Sequence, residues 1–344
     1  MRVRKRRIST LLLLLFITFC CSACAGTAAD RNTAAESAAF SDSGSNLITV
    51  GFCQVGSESD WRIACSNSYK EEFTEANGYR LLFKDGEGKQ ENQIKAMREF
   101  ILQDVDYILL DPIVETGWDS VLKEARDAGI PVIICDREVQ VEDDSLYECW
   151  IGSNFRKEGI DAGEWLDRYL KKEGREKDPI TIVTIQGTPG SSAQIGRTEG
   201  FGEIAAEHPN WTILAKESGD FTQAKGQEVM EDFLKKYKDI DVLISENDNM
   251  TFGAINAIQN AGQTCGPDGD ITVISFDAVK SALESLKNGE INADFECNPL
   301  LAPLVANNIA KLQKGESVQK IQYIDEQYFD NTMDLERILR QRKY

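Results

Sequence analysis

A chain of 344 residues, 28% of them charged and 42% hydrophobic, is long for one core and comfortable for two globular domains. Its formal net charge of −19 would repel phosphate backbones, which argues against a nucleic-acid partner.

The first elements are not part of a fold. "MRVRKRR" is a basic stretch, "LLLLLFITF" is too short to span a bilayer as a helix, and "CCSACAG" supplies small residues for cleavage. This predicts a secretory signal over residues 1–23. Small residues just before a cysteine resemble the bacterial lipoprotein pattern, with Cys24 as the lipidated residue after Ser22 and Ala23. Cleavage before Cys20 or Cys21, or an ordinary signal cut near Ala25, are the other readings. Five of the 38 Lys and Arg lie in the signal, so the remainder is more acidic still. Residues 24–46 are mostly Ala, Ser, Thr, Gly and Asp, a composition that cannot bury enough surface to fold and predicts a flexible tether.

From residue 47 onward strands and helices alternate. "LITVGFCQV" reads as a strand, "WRIACSNSYKEEFTEAN" as a helix stopping at Asn77-Gly78, and "YRLLFKD" as the next strand. The helix "QENQIKAMREFILQD", the strand "DYILLDP", the helix "WDSVLKEARDAG" and the strand "PVIICDR" follow. The order then repeats. The strand "ITIVTIQG", the helix "RTEGFGEIAAEHP", the strand "WTILAKESGD" and the helix "KGQEVMEDFLKKY" precede "IDVLISEND", "TFGAINAIQNAG" and "ITVISFDA". "DVDYILLDP" parallels "DIDVLISEN", and "GIPVIICDR" parallels "DITVISFDA". Strict alternation predicts parallel sheets, and the repeat predicts two similar αβα lobes rather than one domain with insertions. "INADFECNP", "LVANNIAKLQKGE" and "IQYIDEQYF" would complete the sheets.

Six cysteines follow Cys24: Cys53, Cys65, Cys135, Cys149, Cys265 and Cys297. None forms a C-x-x-C pair and the spacing fits no zinc site, so mostly free thiols are expected, with any disulfide partners unassigned. Cys53 and Cys135 fall inside apolar strands and read as buried thiols.

Ligands of open parallel sheets bind beyond the carboxyl ends of the strands. In the first half those ends carry Gln54, Ser57, Glu58, Ser59, Trp61 and Arg62, then Lys84-Asp85, Asp111 and Asp136-Arg137. In the second half they carry the stretch from Gly187 to Arg197, then Asp220, Glu246-Asn247-Asp248 and Asp277, with Glu296 and Asn298 after a late strand. Carboxylates, guanidinium groups and amides beside a Trp suit a neutral polyhydroxylated molecule: the charged planar groups bond hydroxyls and the aromatic face packs on C–H groups. Each residue also has a plainer reading. Trp61 could be core, Arg62 a solvated cation, Asp136-Arg137 a strand-end ion pair, and Asn247 or Asp277 a helix cap. Their joint placement at strand ends carries the signal.

Catalysis has little support. The single histidine, His208, sits at the end of a surface helix, away from any serine–aspartate partnership. "GTPGSSAQIGR" lacks the Gly-Lys-Ser/Thr of a phosphate loop and reads as a Gly-rich turn bringing backbone, Ser191, Ser192 or Arg197 toward a ligand. No calcium loop or metal-ligand cluster is evident, and no cofactor is expected.

These stretches resemble the periplasmic sugar-binding proteins of ABC transporters, of the type I fold shared with ribose binders. "DRE", "GTPGSSAQIGRTEGF", "ENDNMTFGAINAI" and "ISFDA" look like that family's ligand-contact segments over about residues 47–332. "VGFCQVGSESDWR", "DGEGKQENQIKAMREF", "ETGWDSVLKEA" and "SGDFTQAKGQEVMEDF" are similar to its galactofuranose-binding branch.

The resemblance implies an α/β fold of two αβα lobes with parallel sheets and a three-segment hinge, residues 47–151 with 298–322 forming one lobe and 152–297 with 323–344 the other. It implies no enzyme activity and one monosaccharide between the lobes, bonded by Asp136 and Arg137 on one side and Arg197, Asn247 and Asp277 on the other. Trp61 and Arg62, beside Ser59, stand where ribose binders present two phenylalanines. A cation there suits a sugar with an exocyclic hydroxyl arm, such as a hexofuranose. Galactofuranose is the first expectation; arabinofuranose, ribose and galactose stand behind it. Ribose binders carry glutamine where this chain has Cys297, so Glu296 and Asn298 are the hinge-side candidates. The implied protein is a monomeric extracytoplasmic lipoprotein serving a membrane permease. A sugar-sensing accessory of a chemoreceptor or sensor kinase is the rival, and a glycan hydrolase a weaker one. A sugar-responsive repressor would need a helix-turn-helix where the signal stands.

Overall fold

In β1 (Ile48–Gln54) alternate residues serve two different cores, and this decides the layering. Val50 and Phe52 join Trp61, Cys65 and Tyr69 of α1 (Asp60–Glu72) and Val305 and Ile309 of α9 (Ala302–Gln313). Cys53, on the other face, joins Met97 and Phe100 of α2 (Gln90–Leu102) and Leu122 and Ala125 of α3 (Asp119–Ala128). The computed structural model describes residues 47–344; the expected signal, Cys24 and the tether lie outside the described residues.

The first sheet also contains β2 (Tyr79–Asp85), β3 (Tyr107–Leu110), β4 (Val132–Cys135), β5 (Cys149–Gly152) and β11 (Ile321–Tyr323). Its order is β11-β5-β4-β3-β1-β2, and every pair is parallel. β3, β4 and β5 are buried along their whole length, as strands covered on both faces must be.

The second sheet repeats the plan. It comprises β6 (Ile180–Gln186), β7 (Trp211–Ser218), β8 (Val242–Ser245), β9 (Thr272–Asp277), β10 (Ala293–Glu296) and β12 (Tyr328–Asp330), in the order β12-β10-β9-β8-β6-β7. Only β12 runs antiparallel. The helices α4 (Phe155–Lys172) and α5 (Ser192–Glu207) cover one face. α6 (Gln223–Lys236), α7 (Asp248–Asn260) and α8 (Lys280–Lys287) cover the other, and α10 (Leu335–Gln341) closes the described chain. The two α/β lobes form a type I periplasmic binding protein fold. The chain passes between sheets at Ser153–Asn154, after Glu296, and between Tyr323 and Tyr328.

Three sequence expectations are corrected. The first helix stops at Glu72, not Asn77; a short 3-10 turn over Glu75–Asn77 and Gly78 at φ 87° reverse the chain into β2. α5 begins at Ser192, capped by the Ser191 hydroxyl accepting from Gln194 N, so the supposed long turn is only residues 187–191. "IQYIDEQYF" is two strands in different sheets, and the first continues to Tyr323.

Among the described residues all six cysteines are unpaired, five of them buried, and no helix is long and apolar enough to cross a membrane.

Candidate functional site

The strand ends of the two sheets face each other across a narrow cleft. It is lined by Glu58, Ser59, Trp61 and Asp136 from the first lobe. Phe155, Ala193, Arg197, Phe221, Asn247 and Asp277 come from the second, with Cys297 at a crossing segment. Here the lobes are drawn together, and only about 20 Å3 of open space is left between these groups. A hollow of about 540 Å3 between α1 and α9 is larger, but the smaller cleft is the one on which buried ionic groups converge.

Trp61 enters the cleft because Ser59 starts α1: its hydroxyl accepts from Arg62 N at 3.1 Å, which sets the helix at the rim. The indole N–H then donates to the Cys297 carbonyl at 2.6 Å, fixing the ring against a crossing segment. Phe155 and Phe221 supply further aromatic walls. Gly187 makes room for Phe221; a Cβ there would lie 1.9 Å from its ring. Asn247 caps α7 through Oδ1 to Met250 N at 2.9 Å and donates from Nδ2 to the Phe221 carbonyl at 3.2 Å. Asn247 is therefore both a cap and a wall residue.

Arg62 does not line the cleft. It lies behind Trp61, 4.6 Å from the ring centroid, with Nε on Glu58 and Nη1 shared among Gln54, Asp111 and Asp136. Burial would lower its pKa, but these carboxylates outweigh burial and hold the guanidinium charged. Glu58 is held below the usual range, because Arg62 and Arg137 overcome its own desolvation. Arg137 also stands behind the wall. Its Nη1 donates to Ile113 O at 3.0 Å, its guanidinium lies 5.0 Å from the Phe221 ring, and its buried Nε has no partner within the protein.

In the second lobe Arg197 donates from Nε to Glu158 at 2.6 Å, from Nη1 to Glu246 O at 2.5 Å and from Nη2 to Asp277 at 3.3 Å. α4 and α5 meet closely enough for this because Gly159 abuts the Arg197 carbonyl, where a Cβ would be 2.3 Å away. Burial pushes the Asp277 carboxyl well up despite Arg197.

Glu296 and Asn298 require correction. The Glu296 carboxylate faces the C-terminal segment, accepting from Arg342 at 2.5 Å and the Tyr344 hydroxyl at 2.9 Å. Asn298 turns back to cap Leu300 N at 2.9 Å. Neither lines the cleft; Cys297, between them, does. Phe155, Phe221 and the supporting Glu158 were not among the sequence candidates. Only Phe221 carried a signal, as the residue directly after the strand-end Asp220. His208 ends α5 and stacks on Trp211 at 4.1 Å, away from the cleft.

The lobes touch around the cleft. Asp60 N donates to Asn249 at 3.0 Å, Glu138 N to Ser192 Oγ at 2.9 Å, and Glu115 N to Gly190 O at 3.0 Å. This is a closed arrangement. Apolar faces, paired ions and oriented acceptors, with no lysine and no histidine on the wall, equip it to hold a polar neutral ring.

The model of the periplasmic binding protein domain matches residues 50–316. The chain belongs to this family. It is 44% identical to galactofuranose-binding protein YtfQ of Escherichia coli (strain K12) over 270 residues, 78% of this chain and 82% of the relative. A Mycobacterium smegmatis protein crystallised with β-D-fucofuranose shares 41% identity at a TM-score of 0.81, over 86% of this chain and 95% of that one. The periplasmic binding protein component of the arabinose ABC transporter from Shewanella sp. ANA-3, bound to α- and β-L-arabinofuranose, shares 41% at a TM-score of 0.80. That match also covers 86% of this chain and 95% of the other.

Proposed function

We propose that this protein captures a monosaccharide in furanose form between its lobes and presents it to the permease of an ABC transporter, galactofuranose being the first choice. The observation that carries the reading is the make-up of the cleft: Trp61 and Phe221 beside Asp136, Arg197 and Asp277, drawn from both lobes. Relatives described as binding galactofuranose, fucofuranose and arabinofuranose support the ring form. Asp136, Asp277 and Arg197 bond the ring hydroxyls, the aromatic faces pack on its C–H edges, and Arg62 and Arg137 hold those groups in place. The sugar contacts both lobes at once, so it stabilises the closed form over the open one. A dissociation constant near ~1 μM corresponds to about −8 kcal/mol, within reach of a few charged hydrogen bonds of about 1.5–3 kcal/mol each after ordering costs.

The protein acts as an extracytoplasmic monomer, held at the membrane through lipid on Cys24, and transforms no substrate. Two acyl chains suffice for stable anchoring. Calorimetry of the mature chain with L-arabinose, D-fucose, D-galactose and D-ribose tests the reading; all four equilibrate with furanose forms. Binding of an amino acid or purine nucleoside, with no response to any of these sugars, overturns it. Turnover of a nitrophenyl furanoside would overturn the non-enzymatic part.

A further inference from the structure

Beneath Asp277 lie two carboxyl groups that the cleft does not use. Asp248 opens α7 and Asp294 lies in β10, and both are fully buried. Asp248 Oδ1 accepts from Ser275 Oγ at 2.6 Å and Oδ2 from Val279 N at 2.8 Å. Asp294 Oδ1 accepts from Ala278 N at 3.1 Å, while its Oδ2 has no partner. The two carboxyls therefore grip consecutive amides of one turn. That turn is strained: Asp277 has φ 107° and Ala278 φ 55°, values that L side chains rarely adopt.

No cation bonds either carboxyl. The groups facing them are Asp277 from β9, Ser275, whose hydroxyl also bonds Thr251 of α7, and Arg342 beyond α10. Arg342 is engaged elsewhere, with Nε on Ala278 O at 2.7 Å and Nη1 on Glu296. Two ionised carboxylates facing each other without a bound cation in a dry core are strongly disfavoured. We propose that Asp248 and Asp294 share one proton, as an acid–carboxylate pair, and that this pair positions the strained turn so that Asp277 meets the sugar. Burial and mutual repulsion act in the same direction, raising Asp248 well above the carboxylate range. Burial and the Asp277 charge bring Asp294 to about 8. The positioning role rests on the sugar-binding reading; the shared proton does not.

The test has two arms. Infrared difference spectroscopy of the sugar-free protein near neutral pH, wild type minus variant, is expected to show one protonated carboxylic acid C=O component that is lost in Asp248→Asn and in Asp294→Asn alike, while the components from other buried carboxyls such as Glu246 remain. Calorimetry with L-arabinose and D-galactose is expected to give Asp248→Asn an affinity within about threefold of wild type, because an amide donates as the protonated acid does. Asp248→Ala, which frees the turn, is expected to bind at least about tenfold more weakly. Should the alanine variant fail to fold, the asparagine variant and the infrared band decide. A missing band overturns the shared proton, and an asparagine variant at least about tenfold weaker than wild type overturns the positioning role. Unchanged affinity in the alanine variant overturns that role too. A wild-type protein that shows the band but binds no furanose-forming sugar overturns the functional reading and the positioning role, and leaves the shared proton standing.

Discussion

Asp136 and Asp277 hold the same place in the two lobes, and each is gripped by an arginine from the helix that follows the first strand of its own sheet. Asp136 follows β4 at φ 58° and Asp277 ends β9 at φ 107°. Arg62 of α1 reaches Asp136 at 3.0 Å, and Arg197 of α5 reaches Asp277 at 3.3 Å. A left-handed residue at each strand end turns the carboxylate off the sheet and into the cleft. The arginine keeps it aimed. The internal repeat is thus a repeat of chemistry as well as of topology.

Asp277 and the unpaired Arg137 should respond differently. Arg137 bonds only the Ile113 carbonyl and stacks on Phe221, so Arg137→Ala should leave the sugar-free melting temperature within a few degrees. Its affinity should fall about three- to tenfold, because the Phe221 wall loses the guanidinium behind it. Asp277→Ala removes a partner of buried Arg197, so stability should fall together with affinity. Calorimetry and thermal unfolding on the two variants separate these outcomes.

Glu296→Gln is expected to do the reverse. The carboxylate serves Arg342 and Tyr344, not the cleft. Breaking a buried ion pair by removing one partner costs up to about 3–5 kcal/mol, so the melting temperature should drop by several degrees. Sugar affinity should stay within about threefold, less than one charged hydrogen bond would contribute. A selective loss of affinity would return Glu296 to the site.

Gly187→Ala tests the Phe221 wall. The added methyl would sit 1.9 Å from the ring and must displace it, because Phe221 is also tied to Asn247 through its carbonyl. Such overpacking costs about 1–3 kcal/mol. Weaker sugar binding matching that of Phe221→Ala, with a changed near-ultraviolet circular dichroism spectrum, is expected.

Glu246 gives a pH dependence. Its carboxyl accepts from Gly187 N at 2.8 Å and from Thr198, yet burial raises its pKa from 4.5 to about 7. The folded state therefore binds the proton more tightly than the unfolded one. The stabilisation is complete below about 4.5 and is lost as pH rises through about 7. Denaturant unfolding across this window should show stability falling with rising pH, with a shallower slope in Glu246→Gln.

Much of this was legible before any coordinates. The layered sheets follow from the alternation of short apolar runs with helical ones, and Asp136, Arg197, Asn247 and Asp277 follow from the strand-end rule. Trp61 and Arg62 show where a one-dimensional reading blurs. Neighbours on a helix point about 100° apart, so two consecutive residues cannot both face one cleft. The structure puts the indole on the wall and the guanidinium behind it. Glu296 and Cys297 blur for a similar reason: successive strand residues point to opposite faces, and where β10 ends decides which looks inward. Phe155 and Glu158 gave no signal, because their role depends on α4 crossing to the second lobe and packing on α5, a contact between segments about 40 residues apart in sequence.

The three crossings have a consequence for how the chain is made. β11 and β12 are neighbours in sequence but edge strands of different sheets, and α9, which covers Val50 and Phe52, comes after all five parallel strands of the second lobe. During synthesis the first sheet therefore emerges with one apolar face bare and stays so until residue 313 is made. Neither lobe can finish early, and a break anywhere in the middle leaves both fragments incomplete. Such late closure slows folding through its long-range contacts and exposes the nascent chain to chaperones. It also keeps the polypeptide threadable, which suits the export proposed for it.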